Sequence, residues 1–242
     1  MFKSKTLLHD KRPTFYPCNH VGNCEANLCS CYGDNVVCEK HCCCARSCSR
    51  RFKGCRCIAK GRRVCWMDDN CDCYRLNREC DPDLCGSCGV VDALDPTKVY
   101  EEPGLKTQCS NCALQRGVPS RLLTGISEVQ GFGLYTGEPI KANQFLGEYK
   151  GEVLARIEGE RRLVIYQHLK ANYLFKLNEE QDIDAARMGN KTRFINNSKK
   201  EDTINCYPKV LLCNTEARIG LFAKKDLQAG EELFFDYGCV SN

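Results

Sequence analysis

Of the 22 cysteines in this 242-residue chain, 17 fall between Cys18 and Cys88, leaving Cys109, Cys112, Cys206, Cys213 and Cys239 for the rest. A stretch so dense in thiols and so poor in long apolar side chains cannot fold on hydrophobic burial alone, so cross-links must supply its stability. No apolar run approaches the ~20 residues that cross a bilayer, and the opening Met1-Phe2-Lys3 starts no secretory h-region. The expectation is an intracellular chain with no membrane association, in a reducing compartment where dense cysteines serve as metal ligands more often than as disulfides.

The spacings sharpen that reading. Skipping Cys43, the first half runs C-x5-C-x4-C-x-C-x6-C-x3-C-x-C-x3-C through Cys18, Cys24, Cys29, Cys31, Cys38, Cys42, Cys44 and Cys48. The second runs C-x-C-x7-C-x5-C-x-C-x6-C-x4-C-x2-C through Cys55, Cys57, Cys65, Cys71, Cys73, Cys80, Cys85 and Cys88. A C-x-C pair does not readily give both sulfurs to one tetrahedral ion, which favours thiolates bridging neighbouring ions. Three tetrahedral zinc ions have twelve coordination positions, and nine ligands fill them when three of the nine bridge. Each half carries eight, so each is one short. His20, two residues after Cys18, is the ninth ligand expected for the first cluster; Cys109 or Cys112, in Thr107-Gln108-Cys109-Ser110-Asn111-Cys112, is the candidate for the second. The predicted content is about six zinc ions in two three-zinc clusters.

Residues 39–63 hold nine basic side chains (Lys40, Arg46, Arg50, Arg51, Lys53, Arg56, Lys60, Arg62, Arg63) against the single acid Glu39. Such a patch is suited to DNA phosphate, and equally to keeping a core-poor module in solution.

Beyond a linker over 90–117 the character changes to short apolar runs separated by turns, a β-rich pattern. Strands are expected at Leu122-Leu123, 133–136, 145–149, 173–177, 182–184, 207–213 and 218–223, with one helix at about 155–171. Four motifs follow in order: Gly131-Phe132-Gly133, whose glycines let the backbone approach a ligand; Gly147-Glu148-Tyr149; Arg193-Phe194-Ile195-Asn196-Asn197-Ser198, read as a short strand ending in amides; and Gly230-Glu231-Glu232-Leu233-Phe234-Phe235-Asp236-Tyr237, a turn and an aromatic strand. Each alone is an ordinary turn or strand. Their order carries the weight.

With Cys55-Arg56-Cys57, the run from Arg78 to Cys85 (R-E-C-D-P-D-L-C) and the run from Ala185 to Phe194 (A-A-R-M-G-N-K-T-R-F), these motifs resemble the CXC (pre-SET) and SET regions of enhancer-of-zeste proteins, catalytic subunits of Polycomb repressive complex 2. The resemblance implies a cysteine-rich zinc-cluster module followed by a mostly β SET domain with a pseudoknot and a short helical insert. The expected divisions are an N-terminal extension at 1–17, the CXC module at 18–89, the linker at 90–117, the SET domain at 118–238 and a truncated post-SET tail at 239–242. Three departures stand out: Ile58–Asn70 is longer than the family pattern, Asn197 replaces the usual His, and Phe132 a frequent Trp.

The implied activity is S-adenosylmethionine-dependent histone lysine methylation, up to trimethylation, at the lysine in position twenty-seven of the histone H3 tail. It implies a nuclear location, transcriptional repression, a nucleosome substrate, and WD-repeat and zinc-finger Polycomb subunits as partners; by itself the fragment is expected to be weakly active or inactive. Carried over by position, Tyr149, Phe175, Phe235 and Tyr237 build the lysine channel, with Tyr237 central. Gly131, Phe132, Gly133, Tyr149, Asn196, Asn197 and Tyr237 hold the cofactor, Asn197 mainly through its backbone. The competing reading is a DNA- or nucleosome-binding zinc module attached to an inactive SET scaffold.

Overall fold

The computed structural model describes residues 12–26, 28–58, 64–98, 109–169 and 172–239. Most of the expected N-terminal extension, Lys60, Arg62 and Arg63 of the basic stretch, and the middle of the linker lie outside the described residues.

Regular structure in the cysteine module is confined to single turns. Helix α1 is Ser30–Gly33 and α2 is Asp72–Arg75; α3 (Val90–Ala93) follows Cys88 closely, and α4 is Ala113–Arg116. Cysteines Cys29, Cys71 and Cys112 sit at the N-caps of α1, α2 and α4. At α1 the Tyr32 N–H donates to the Cys29 carbonyl at 3.0 Å, and the Cys29 side chain makes no cap bond.

A loop-rich module leaves backbone carbonyls without ladder partners, and arginines serve them here. Arg51 donates to the carbonyls of Glu39, Cys42 and Cys44 at 2.7–2.9 Å, and Arg50 to Val36 at 2.9 Å while lying over the Tyr32 ring. Lys40 pairs with Asp81 and Asp83. These three side chains, read from sequence as part of a basic surface, are therefore internal braces. Arg46, Lys53 and Arg56 are the exposed cations among the described residues of that stretch.

The second half contains β1 (Leu122–Ile126), β2 (Phe132–Thr136), β3 (Phe145–Tyr149), β4 (Glu152–Ala155), helix α5 (Arg156–Leu169), β5 (Leu174–Lys176), β6 (Gln181–Asp184), β7 (Asn196–Asn197), β8 (Cys206–Cys213), β9 (Glu216–Ala223) and β10 (Phe234–Phe235). They form a β1–β2 hairpin, a β3-β9-β8 sheet, a β4-β6-β5 sheet and a parallel β10–β7 pair. In that last pair Phe234 lies opposite Asn196 and Phe235 opposite Asn197, so the C-terminal aromatic segment runs beside the amide segment. The strand expected over 193–198 differs: Lys191–Phe194 is a 3-10 turn and only Asn196–Asn197 is strand. The turn is tied down by Asn190, whose Nδ2 donates to the Glu148 carbonyl at 2.8 Å while its Oδ1 accepts from the Thr192 hydroxyl at 2.5 Å.

Leu134, Leu146, Ile195, Ile219, Leu221, Leu227 and Leu233 form the main core, each at most 1% exposed. A smaller cluster of Leu114, Leu211, Cys213 and Phe222 takes in Trp66 from the cysteine module. The Trp66 ring stacks on Phe222 at 4.5 Å and meets Tyr74 edge-on at 5.6 Å. Cys65 and Met67, on either side of it, have φ of 82° and 57°, a left-handed backbone that costs about 1–3 kcal/mol each and is held by the surrounding packing. Glu79 N donates to the Leu212 carbonyl and Leu212 N to Asn77. The Glu79 carboxylate accepts from the backbone N–H groups of Leu114 and Gln115 in α4. The cysteine module is thus joined to the β-rich half by a stacked ring, backbone bonds and a helix cap, and no described helix is long and apolar enough to cross a membrane.

Candidate active site and metal centres

Four aromatic side chains meet where β3, β5 and β10 converge. Ring centroids are 5.2 Å apart for Tyr149 and Phe175, 6.2 Å for Phe175 and Phe235, and 4.9 Å for Phe235 and Tyr237. All four line a cavity of about 190 Å³, together with Asn172, Tyr173 and Ile195. The four residues carried over by position therefore share one channel wall. Helix α5 forms the outer side, fastened by Arg162 to Glu152 and Asp184 and by the Tyr166 hydroxyl to Asp184.

Both phenols are anchored. Tyr237 donates to the Ile195 carbonyl at 2.5 Å, and Tyr149 to the Tyr173 carbonyl at 2.7 Å. Tyr237 shows 38% of its surface to solvent, while its hydroxyl turns inward to Ile195. Burial, reinforced by Tyr173 and Cys206, pushes that phenol up to about 12, and burial raises Tyr149 as well. Each stays protonated at neutral pH and can orient a polar group but not abstract its proton. The carbonyls of Ile195 and Tyr173 were not legible as site groups, because any residue supplies a carbonyl.

Asn197 has a task that sequence reasoning missed. Its amide oxygen accepts from the Tyr237 backbone N–H at 2.8 Å, so the residue standing in place of His clamps the segment that carries the phenol. Asn196 Nδ2 donates to Glu232 at 3.0 Å and to the Phe132 carbonyl at 3.2 Å, which brings the Gly131-Phe132-Gly133 segment against β7. Phe132 is 57% exposed and packs against Phe194.

The two glycines serve different ends. Gly131 has φ +54° and open space around it, a turn requirement; at Gly133 a Cβ would lie 2.3 Å from Glu232 Oε1. The second glycine is explained by Glu232, where close approach of a ligand was expected.

The thiols gather into sets whose sulfurs lie within 4.8 Å of one another: Cys18-Cys24-Cys29-Cys38, Cys18-Cys31-Cys38-Cys42 and Cys24-Cys38-Cys44-Cys48 in the first half, and Cys55-Cys65-Cys80-Cys88 and Cys55-Cys73-Cys80-Cys85 in the second. Several S···S distances are 3.3–3.9 Å. Sulfurs around a tetrahedral ion at about 2.3 Å stand about 3.8 Å apart, so the spacing suits zinc. Cys29 and Cys31 fall in different sets, as do Cys42 and Cys44. Cys18, Cys24 and Cys38 each recur, as bridging ligands would. His20 Nε2 is 3.6 Å from the Cys24 sulfur and also bonds Cys29. Burial opposes ionisation of Cys29, but His20, the nearby Tyr32 amide, Cys24 and Cys18 outweigh it and bring the thiol to about 6.

In the second half Cys57 neighbours Cys55, Cys65 and Cys71. Cys65, in the lengthened segment, is fully buried and 3.9 Å from Cys55. The two candidates for the ninth ligand part company. Cys109 bonds Cys112, Cys65 and Cys80, which bring it down to about 6, and the Asn111 N–H points at its sulfur. Cys112 lies beside Cys109, its thiol donating to the Cys109 carbonyl at 3.5 Å, and is held well above the ordinary thiol range by Cys109, by burial and by the Glu79 charge. Cys43 is exposed.

Residues 131–238 match the SET domain family and residues 54–90 the CXC domain family. The chain is 38% identical over 223 residues to histone-lysine N-methyltransferase CLF of Arabidopsis thaliana, covering 92% of this chain and 24% of that protein. It is 40% identical over 247 residues to histone-lysine N-methyltransferase EZH2 of Chaetomium thermophilum, covering 95% and 16%. Among solved structures it resembles ctPRC2 in an autoinhibited conformation bound to S-adenosylmethionine, with a TM-score of 0.88, 39% identity, and 98% of this chain against 31% of that one. The chain thus spans less than a third of the length of each of these relatives.

Proposed function

Because the chain belongs to the enhancer-of-zeste family through its paired CXC and SET domains, we propose that it methylates histone lysine with S-adenosylmethionine, as part of a nuclear Polycomb repressive assembly that silences transcription. The target is the lysine at position twenty-seven of the histone H3 tail. The observation that carries the reading is the anchored aromatic channel: two phenols fixed to backbone carbonyls and two phenylalanines lining one cavity at the β7–β10 pair.

When bound, S-adenosylmethionine supplies an electrophilic methyl group on a sulfonium. Gly131, Phe132, Asn196 and Asn197 would form the rim that receives it, with Gly133 behind them making room for Glu232. Tyr237, its proton committed to Ile195, turns oxygen lone pairs to the lysine amine and holds it in line for displacement; such alignment supplies much of the rate. Tyr149 accepts from the same amine on the opposite side while donating to Tyr173. A lysine of ordinary pKa near 10.4 is charged in water, and the dry walls of Phe175 and Phe235 disfavour that charge, so the proton leaves to water before transfer. Phe235 carries no hydroxyl to retain a water, which leaves room for a methylated amine up to the trimethyl product, whose cation the ring faces tolerate.

Zinc fits the thiol sets. The proposed ligands are Cys18, His20, Cys24, Cys29, Cys31, Cys38, Cys42, Cys44 and Cys48 for the first cluster, and Cys55, Cys57, Cys65, Cys71, Cys73, Cys80, Cys85, Cys88 and Cys109 for the second. This makes the CXC module a brace for the SET domain, since Cys109 lies past the module in sequence. Exposed Arg46, Lys53 and Arg56 favour an added contact with nucleosomal DNA.

The test is radiolabelled methyl transfer to nucleosomes, with and without WD-repeat and zinc-finger Polycomb subunits. Label on histone H3 that vanishes when the target lysine is replaced by Arg supports the proposal; no label under either condition refutes it.

A further inference from the structure

We infer that Glu232 is a positioning residue for the cofactor cleft: its carboxylate, seated against Gly133, turns the Asn196 amide nitrogen inward and so leaves the amide oxygen open to accept the α-ammonium of an amino-acid cofactor. The inference rests on the methyltransferase reading above and deepens it.

A carboxamide presents a donor at one end and an acceptor at the other, and the two ends are close in shape. Which one faces a ligand is set by the neighbours. Here the nitrogen of Asn196 meets Glu232 Oε1 at 3.0 Å and the Phe132 carbonyl at 3.2 Å. Both are acceptors, so only the NH2 end satisfies them, and the oxygen is left with no protein partner among the described residues. The Phe132 carbonyl, and the Gln130 carbonyl at 3.5 Å, bias the amide the same way; the carboxylate adds the stronger, charge-assisted bond.

Glu232 is itself held from several directions. Its backbone bridges Tyr135, its carbonyl accepts from Asn205 Nδ2 at 2.7 Å, and its Oε2 lies 3.2 Å from the Tyr135 hydroxyl. Gly133 supplies the remaining wall. A side chain there would meet Oε1 at 2.3 Å and displace the carboxylate, the mobile partner of the clash. One carboxylate thus connects three of the sequence motifs: the Gly-Phe-Gly turn, the amide pair and the Gly-Glu-Glu turn.

The test uses the zinc-loaded full chain and two ligands measured by calorimetry: S-adenosylhomocysteine, and 5′-methylthioadenosine, which lacks the amino-acid end. Glu232→Gln offers Asn196 a donor as well as an acceptor and lets the amide turn; Gly133→Ala pushes an intact Glu232 aside. Each is expected to weaken S-adenosylhomocysteine about tenfold, the effect of about one hydrogen bond, while 5′-methylthioadenosine changes by less than about twofold. Equal weakening of both ligands means a collapsed cleft and overturns the assignment, as does no weakening of either. Failure of the unsubstituted chain to bind S-adenosylhomocysteine overturns the methyltransferase reading itself and this inference with it.

Discussion

Replacing Lys209 by Met is expected to stabilise the protein, and to do so only below about pH 10. Lys209 lies on β8 where the CXC module docks, with its ammonium 4.2 Å from the Tyr74 ring centre and 5.1 Å from that of Trp66, and no carboxylate pairs with it among the described residues. Burial pushes the amine from 10.5 down to about 8. At 1.36 kcal/mol per pH unit, carrying the charge into the fold costs up to about 3 kcal/mol. The two ring faces oppose this by about 1–2 kcal/mol, which leaves a net cost of about 1–2 kcal/mol at neutral pH. The folded chain releases this proton at a lower pH than the unfolded chain does. Between the folded and unfolded values the unfolded state binds more protons, so stability rises with pH up to about 10.5; the rings narrow the window from the span of about 8 to 10.5 that burial alone gives, and the cost is fully present below it. Lys209→Met keeps the aliphatic stem against the rings and removes the titration. The variant should melt about 2–8 °C higher at pH 7, taking about 2–4 °C per kcal/mol for a chain of this size, with the gap closing as pH approaches 10.5. Paired thermal melts of the zinc-loaded proteins across that range measure the difference, so contributions common to both cancel. A gap that does not change with pH, or a variant that melts lower at pH 7, would mean that the rings hold the ammonium more strongly than burial disfavours it.

Native mass spectrometry should count about six zinc ions in the unsubstituted chain and in Cys112→Ser, and fewer in Cys109→Ser; the reverse order would exchange the roles of the two thiols. Tyr237→Phe should lower methyl transfer by at least about a hundredfold with an unchanged circular dichroism spectrum, and retained turnover would remove Tyr237 from its central role. Tyr149→Phe should shift preference toward already methylated lysine, read on peptides of each methylation state; an unchanged product ratio counts against it. Arg78 and Glu39 form a bidentate pair at 2.7 and 2.8 Å with both side chains 3% exposed, so Arg78→Met should cost about 3–5 kcal/mol by stranding a buried carboxylate. Adding Glu39→Leu should restore most of that in denaturant melts, and a double variant weaker than the single would show that the pair is not the cause.

The legibility of this chain divides by range. Cysteine spacing alone argued that C-x-C members ligate different ions, and the thiol sets divide Cys29 from Cys31 and Cys42 from Cys44. Strand and helix positions followed from alternation and turn residues: the expected 145–149 strand matches β3, and the expected helix brackets α5. One strand escaped, β4 at Glu152–Ala155; β7 and β10 were expected as strands, but they are only two residues each and their pairing was not foreseen. A two-residue strand has no period, and its partner here lies 38 residues away, from Asn196 to Phe234.

The same division runs through the sites. The number of cysteines, their C-x-C spacing and the expectation of a ninth donor come from residue type and local spacing, while the aromatic residues of the cavity were reached through the family resemblance. Tertiary structure decided the rest: that Cys109 adjoins Cys65, Cys80 and Cys88 while Cys112 sits behind it, that Gly133 makes room for Glu232, that Asn197 clamps Tyr237, and that Arg50 and Arg51 serve backbone carbonyls. Each depends on which polar atom a distant segment brings within about 3 Å, and a hydrogen bond selects its partner by position and direction, which no local pattern records.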